Sequence, residues 1–239
     1  MSELIGKEYY DESGYFEAHA GHLMDLKSPF QQYRVRKVLE IYAPMAGERV
    51  LDMGCGWGTF CFAVAPRVAE MVGVDFSEKS IELCEKGLEQ LDLENVRFVC
   101  ADAGDTGMDE GSFDTILAAD LFEHLYPEDS ARVTREAFRL LKPEGRFLVW
   151  TPNRGHFLEV LKNRNVILKR DPSHVDYKSM ARMKELLVGA GFDVEKAYYA
   201  ESHLPVLRSV ERALLGVVPV LRRRVALLGR KPPTRSAVL

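Results

Sequence analysis

A glycine-rich turn is the stretch of the sequence whose residues point most directly to chemistry. Gly54, Gly56 and Gly58 follow an apolar run that ends in Asp52. Glycine is needed where backbone bends sharply or lies against a ligand, and in open α/β sheets such a turn sits at the ligand crevice. The spacing is GxGxG, one residue shorter than the dinucleotide-binding GxGxxG. Because the leading acid would repel a pyrophosphate, a cationic ligand, such as an amino group beside a sulfonium, fits the turn better; a plain tight turn is the alternative.

Two more acids end the next two β-rich runs. Asp75 lies 17 residues after Gly58, where a carboxylate can accept hydrogen bonds from both hydroxyls of a ribose. Asp102 ends the third run, where it can accept a hydrogen bond from the amino group of an adenine. One strand-end acid is usually a cap or turn residue, but three in succession indicate a nucleoside-containing ligand. Both NAD and S-adenosylmethionine carry such a ribose.

The elements that must position these acids alternate between strands and helices. Strands are expected at 49–52, 71–75, 96–101, 113–119, 146–151, 192–199 and 224–229. Helices are expected at 59–68, 77–91, 129–141 and 179–188, and Ser77 is a plausible N-cap. This rhythm indicates right-handed βαβ units and a parallel sheet, so the fold class is α/β.

Three parts of the chain differ in texture. Residues 1–46 are predicted to form a helical cap over the carboxyl edge of the sheet, and residues 47–200 the α/β core. Within the core, 152–178 is rich in Asn, Arg and Lys and is expected to be an irregular insertion. Residues 201–239 form an apolar and basic segment that includes the last strand.

Composition excludes several classes of protein. The 239 residues are 46% hydrophobic and 28% charged, which is typical of a globular chain. A net charge of -4 argues against a generally basic nucleic-acid binder. No apolar run is long enough for a membrane span, and the polar, acidic first ten residues lack the basic and apolar regions expected of a signal peptide. Four cysteines without a CxxC pair are expected to be reduced thiols, so we expect a cytoplasmic protein.

The ordered set of motifs resembles the class I S-adenosylmethionine-dependent methyltransferases. The matching stretches are the DxGxGxG turn 52–58, the GVDFS strand end 73–77, the pair 102–103, the run 113–120, the LLKPEG turn 140–145 and the GAGF at 189–192. The resemblance covers about residues 30–200. It implies a Rossmann-like, seven-stranded, mostly parallel sheet whose last strand is inserted antiparallel, and S-adenosyl-L-methionine as the cofactor.

Within that family, the chain looks most like the ubiquinone-biosynthesis O-methyltransferase type and its generic small-molecule relatives. In that type an arginine at the position of Arg34 grips the carboxylate of the cofactor, which a bidentate guanidinium suits; a surface arginine is the alternative. The resemblance also implies that Ala119 lies over the adenosyl group. The predicted cofactor-binding residues are Arg34, Asp52, Gly54, Gly56, Gly58, Asp75, Phe76, Asp102, Ala103 and Ala119.

Methyl transfer to a hydroxyl also needs a group that removes a proton. His124, just past the fourth strand, titrates near working pH and is the first candidate; an orienting or capping role is the alternative. His174, after the insertion, either lines the acceptor pocket or caps a loop. By resemblance, Asp120, Glu123 and His124 match a cluster proposed to hold a divalent cation, but a short helix would place them on different faces, so a metal is not favoured.

The sequence thus predicts an enzyme that moves a methyl group to oxygen or nitrogen of a small molecule, with a phenolic or lipid-like acceptor among the candidates, and no nucleic-acid partner. The alternatives are a non-catalytic S-adenosylmethionine-binding module and a nucleotide-dependent oxidoreductase. The segment 201–239 carries +6, and 204–221 is apolar. This pattern suits either a membrane-surface contact through 204–224, which would make the protein peripheral, or a helix packed on the sheet or at a dimer interface.

Overall fold

The computed structural model describes residues 5–12, 14, 15, 26–166 and 170–234. The remaining parts of the predicted cap, of the predicted insertion and of the C-terminal segment lie outside the described residues. The strands are β1 (Arg49–Met53), β2 (Glu70–Asp75), β3 (Val96–Cys100), β4 (Phe113–Ala119), β5 (Leu141–Pro152), β6 (Asp193–Ala200) and β7 (Arg224–Arg230). The α-helices are α1 (Lys7–Glu12), α2 (Pro29–Ile41), α3 (Thr59–Val64), α4 (Glu78–Leu88), α5 (Pro127–Leu140), α6 (Phe157–Asn163), α7 (Met180–Ala190) and α8 (Pro205–Leu214).

The strands form one sheet of seven in the order β3-β2-β1-β4-β5-β7-β6. β1 to β5 pair in parallel, whereas β7 runs antiparallel to both of its neighbours, β5 and β6. The predicted mostly parallel sheet with an antiparallel last strand is therefore confirmed. The order reverses between β1 and β4, and ligands of open α/β sheets bind at such a reversal, beyond the carboxyl ends of the strands.

Both faces of the sheet are covered at its centre, which explains why β1, β4 and β7 are buried at nearly every position, whereas the edge strand β6 is largely exposed. Val50, Leu117 and Trp150 belong to an apolar cluster on one face, and Leu51 and Ile116 to a second on the other. All five are fully buried. This packing holds the carboxyl ends of β1, β2 and β4 in fixed positions beside one another.

Helix starts are set by local capping. The hydroxyl of Ser77 accepts a hydrogen bond from the backbone N–H of Ser80 at the start of α4, so the predicted N-cap is confirmed. Ser179 caps α7 in the same way through the N–H of Arg182. These caps satisfy backbone donors that the first turn leaves unpaired. None of the helices that the structure describes is both long and apolar enough to cross a bilayer.

Two stretches differ from the sequence prediction. The expected irregular insertion contains the helix α6, whose N-cap His156 is fully buried and accepts a hydrogen bond from the N–H of Leu158. The turn predicted at 141–145 is an irregularity inside β5, where Glu144 has a φ of 65° and the pairing with β4 shifts register. In both cases a long-range partner, rather than local propensity, decides the conformation.

Candidate active site

A crevice of about 780 Å³ opens beyond the carboxyl ends of the strands, a volume typical of small-ligand sites. Residues of the first three strand ends and of β4 line one part of it: Gly54, Gly56, Asp75, Phe76, Asp102, Ala103 and Ala119. Residues that follow β4 and β5 line another part: Asp120, Glu123, His124, Glu159, Lys162, Arg170 and His174. The crevice therefore joins the predicted nucleoside site to the candidate bases.

The glycine-rich turn needs glycine for two separate reasons. Gly54, Gly56 and Gly58 all have positive φ, at 72°, 51° and 70°, which side-chain-bearing residues rarely adopt. A Cβ on Gly54 would lie 2.7 Å from Cδ1 of Leu121, whereas one on Gly56 would meet no described atom within 4 Å. Gly56 thus leaves open space at the crevice wall. Gly58 does not line the crevice and ends the turn under Phe62.

Asp75 is fixed by the turn that it faces. Its Oδ2 accepts the backbone N–H of Gly56 at 3.0 Å, and its Oδ1 accepts that of Ser77 at 3.0 Å. Burial raises the pKa of this carboxyl, and the two backbone N–H groups oppose the rise. Each oxygen keeps a further lone pair, so the carboxylate can accept two hydroxyls from a ribose in the crevice.

Asp52 lies beneath the turn rather than in the crevice wall. Its side chain is fully buried, and the thiol of Cys61 lies 3.6 Å from its Oδ2. Among the described residues no group bonds its Oδ1. Burial raises the pKa of Asp52 from 3.8 to about 7, with a smaller raising effect from Asp75. Through β1, the carboxyl supports the turn from below, so a direct ligand contact stays a prediction.

Asp52→Asn should make the stability of the protein less dependent on pH. Because the folded pKa is raised from 3.8 to about 7, the stabilisation is complete below the unfolded value and is lost as pH rises through 7. Asparagine stays neutral, so the variant should lack that loss, which is at most ~4 kcal/mol. Urea unfolding of both proteins between acid and mildly alkaline pH measures it, and parallel profiles would contradict the assignment.

Three other predicted cofactor residues also line the crevice. Phe76 is 39% exposed there, and Ala103 and Ala119 complete the wall. Asp102 reaches the crevice as well, but its Oδ1 accepts the N–H of Gly104 and its Oδ2 pairs with Arg132 at 2.6 Å. Contact between Asp102 and adenine stays a prediction, and it would require one of these two oxygens to accept a further hydrogen bond beside its present partner.

Arg34 is in the crevice wall but is already engaged. Its Nε and Nη2 donate to Oδ2 of Asp120 at 2.9 and 2.6 Å, and its Nη1 donates to Gln31. Arg224, at the start of β7, pairs with the other oxygen of Asp120. Although burial opposes it, the pKa of Asp120 is held well below its usual range by Arg224 and Arg34. Asp120 also has a φ of 57°, a strained value that this clamp sustains.

Helix α1 closes over the crevice from the N-terminal side. Asp11 accepts a hydrogen bond from the hydroxyl of Ser77 at 2.6 Å, and Lys7 pairs with Glu78 at 2.7 Å. The ring of Tyr10 packs edge-on against Phe76 at 5.2 Å between centroids. Asp11 lies 66 positions before Ser77, so no local signal in the sequence points to this contact.

The two ring nitrogens of His124 have different surroundings. Its Nδ1 lies 3.0 Å from the hydroxyl of Tyr10 and 3.2 Å from the carbonyl of Ser173. A carbonyl only accepts, so Nδ1 carries the proton and Nε2 keeps its lone pair. Burial lowers the pKa of His124, which keeps the imidazole neutral at pH 7. The arrangement suits a general base.

His174 lies against His124, with 4.8 Å between ring centroids, and its Nδ1 is held by a hydrogen bond. Tyr177 lies 2.7 Å from its Nδ1, and Asp171 lies 3.7 Å from its Nε2. Burial and the neighbouring His124 lower the pKa of His174 to about 3. His174 therefore lines the crevice as an oriented neutral ring, and Tyr177 and Asp171 are functional candidates that the sequence analysis missed.

The set of possible metal ligands differs from the one drawn from the sequence. Among the described residues, Glu123, His124 and His174 place one ligand atom each within 4.8 Å of one another. Asp120 is instead clamped by two arginines. Burial, and then Asp120, raise the pKa of Glu123 to about 8, and Thr151 donates to its Oε2 at 2.9 Å. The set Asp120, Glu123 and His124 is therefore not assembled around one point.

A profile of the methyltransferase domain matches residues 44–201, well over half of the chain. The chain belongs to this methyltransferase family. It is 33% identical over 144 residues to the uncharacterized methyltransferase YcgJ of Bacillus subtilis, covering 59% of this chain and 55% of that protein. It is 31% identical over 153 residues to a ubiquinone biosynthesis O-methyltransferase of Coxiella burnetii, covering 63% and 64%. The chain thus spans about half to two thirds of the length of these curated relatives.

Solved structures show the same fold. The crystal structure of YcgJ from Bacillus subtilis has a TM-score of 0.64 at 21% identity and covers 84% of this chain and 99% of that one. A phosphoethanolamine N-methyltransferase of Haemonchus contortus, solved in complex with S-adenosyl-L-methionine, has a TM-score of 0.70 at 16% identity, covering 95% and 60%. In this methyltransferase chain Cys55, Cys61 and Cys84 are buried and Cys100 is exposed, and all four are free thiols as predicted.

Proposed function

We propose that this protein transfers a methyl group from S-adenosylmethionine to an oxygen or nitrogen atom of a small acceptor, phenolic or lipid-like in character. One observation supports this above the others. The carboxylate of Asp75 is presented to the crevice by the N–H groups of Gly56 and Ser77, beside a glycine turn that leaves space for a ligand. A ribose and a cationic donor fit this arrangement better than a pyrophosphate does.

The residues present fit an adenosyl methyl donor. Asp75 would hold the ribose, Gly54 and Gly56 would allow close backbone approach, and Phe76 and Ala103 offer apolar contact to the base. When bound, the donor supplies a methyl group that its own sulfonium activates, so the protein's main task is orientation. Asp52 contributes negative charge beneath the turn when it is ionised, whereas the charge of Asp120 is balanced by Arg34 and Arg224.

His124 would serve the acceptor. Its Nε2 lone pair can take the proton of an acceptor hydroxyl, because the carbonyl of Ser173 fixes Nδ1 as the protonated nitrogen. Tyr10 and Tyr15 are part of the crevice wall and could pack on a flat ring. A phenol as the acceptor is also supported by the relatives named as ubiquinone biosynthesis O-methyltransferases.

A transfer assay tests the proposal. The purified protein is incubated with methyl-labelled S-adenosylmethionine and, in separate reactions, with catechols, simple phenols, prenylated phenols and amines. We expect labelled methyl ethers from at least one phenol. Label found only on nitrogen would replace the phenol by an amine, and no product despite cofactor binding by calorimetry would favour a non-catalytic binding module.

A further inference from the structure

The described C-terminal segment carries an exposed apolar face that no part of the described structure covers. Of the twelve large hydrophobic side chains that are exposed among the described residues, six fall between positions 204 and 220. They are Leu204, Val206, Val210, Leu214, Val217 and Val220, which we call the apolar face. Val206 is 82% exposed and Val217 77%. Such clustering on one short stretch marks a contact surface rather than scattered surface residues.

Helical spacing gathers these side chains on one side. Val206, Val210, Leu214 and Val217 are separated by four, four and three residues, so they follow one stripe of α8 and the turn after it. The helix is attached through a polar contact on its other side. Glu211, fully buried, pairs with His156 at 3.0 Å and accepts the backbone N–H of Ser202. This attachment leaves the apolar stripe on the side of the helix that faces away from the rest of the described structure.

The charge around the face is positive. Residues 201–224 contain five arginines and two glutamates in a chain whose net charge is -4, but Arg223 and Arg224 line the crevice and are ion-paired there, so three arginines remain beside the face. Arg208 is partly exposed and Arg212 has a side chain that is 67% exposed, although it pairs with Glu201. Both lie two residues from members of the stripe and so on the opposite side of α8, and a helix with arginines on one face and apolar residues on the other is typical of the interface of an anionic membrane.

We propose that the apolar face docks on the surface of an anionic lipid bilayer, with its valines and leucines among the headgroups and its arginines on the lipid phosphates. A second copy of this chain is a poorer occupant. Two-fold symmetry would place the same basic segment against itself, and because its two glutamates are buried, the arginines would meet no opposite charge. The attraction to anionic lipid, by contrast, uses both the apolar area and the charge.

The face also stands next to the crevice. β6 runs parallel to β5, because both are antiparallel to β7, so α8 follows the same carboxyl edge that bears the crevice. The segment returns to that edge at Arg223 and Arg224, which both line the crevice. Docking on a bilayer would therefore bring the crevice to the lipid surface. Access of an apolar acceptor from the bilayer rests on the proposed function, whereas the docking does not.

Vesicle flotation of the full-length protein tests the docking. We expect binding to vesicles of phosphatidylcholine and phosphatidylglycerol in equal parts, little binding to phosphatidylcholine alone, and release by salt. The double variant Val206→Asp, Val217→Asp should lower the partition coefficient for the mixed vesicles tenfold or more, because two buried apolar contacts are lost. Arg208→Gln should lower it roughly fivefold, since one basic residue is removed.

Val188→Asp is the matched control, because Val188 is 61% exposed on α7 and lies outside the apolar face. It should float like wild type. Equal flotation of the double variant and wild type would overturn the proposal, and so would no flotation with anionic vesicles. If wild type sediments as a dimer and the double variant as a monomer, the face contacts a second copy of this chain instead. Calorimetry with S-adenosylmethionine in solution separates the two proposals. If wild type does not bind the cofactor, the proposed function is wrong, whereas the flotation result still tests the docking by itself.

Discussion

Replacing Asp75 with alanine should weaken the binding of S-adenosylmethionine by about a hundredfold or more, the largest effect that we expect on the cofactor. Two hydrogen bonds from ribose hydroxyls to a carboxylate contribute ~1.5–3 kcal/mol each. The carboxylate is already aligned by Gly56 and Ser77, so little ordering is needed on binding. Isothermal titration calorimetry measures the change, and an unchanged dissociation constant would reject the ribose assignment.

The same substitution also removes an acceptor from the N–H of Gly56, so loss of turn support must be separated from loss of the ribose contact. A ligand that lacks the ribose 2′-hydroxyl provides a double-mutant cycle. Wild type should bind the deoxy ligand less well than the parent ligand, and Asp75→Ala should discriminate much less between them. Asp92→Ala is the matched control, because Asp92 is exposed and outside the crevice. Thermal unfolding checks that each variant is folded.

Periodicity and the strand-end acids predicted the frame of this site well. The β-rich runs that end near Asp52, Asp75 and Asp102 are strands in the structure, within one or two residues at each end. A buried parallel strand needs apolar residues on both faces and a polar residue where it leaves the core, so its sequence signal is local. The antiparallel insertion of β7 came only through the family resemblance, because an isolated strand carries no signal of its neighbours.

Contacts between distant parts of the chain were out of reach of that reasoning. The clamp on Asp120 joins Arg34 and Arg224, which are 190 positions apart, and neither arginine has a local pattern that points to the other. His124 and His174 meet because the loop after α6 returns to the end of β4, which spacing cannot show. This part of the chain was expected to be irregular because of its polar composition. Helix α6 forms there because its buried N-cap and its long-range partners outweigh that composition.

The Arg34–Asp120 pair also changes what the sequence suggested for the cofactor. Three of the five N–H groups of the Arg34 guanidinium are taken by Asp120 and Gln31, so a cofactor carboxylate would meet only the two that remain on Nη1 and Nη2. Asp120, whose φ is strained, follows β4 and so lies where the predicted nucleoside part of the crevice meets the part that holds the candidate bases. Arg34 is therefore a member of a three-residue ion cluster, and its contact with a cofactor carboxylate stays a prediction.

His124→Ala should lower kcat by about a hundredfold to ten-thousandfold, the range for removal of a general base. The dissociation constant of S-adenosylmethionine should stay near the wild-type value, because the predicted ribose contact is made by Asp75. With the acceptor found in the transfer assay, steady-state kinetics and calorimetry measure both. His203→Ala is the matched control, since His203 is partly buried but outside the crevice wall.

The pH profile tells a base from an orienting group. Burial lowers the pKa of His124 below 6.5, so the acid limb of kcat/KM should fall below that pH in wild type and be absent in His124→Ala. Tyr10→Phe keeps the ring against Phe76 but removes the hydroxyl at Nδ1; it should reduce kcat only several-fold, because Ser173 still fixes the tautomer. If His124→Ala kept both its rate and its acid limb, His124 would serve only to hold Tyr10 and Ser173, and the proton would have to leave by another group in the crevice.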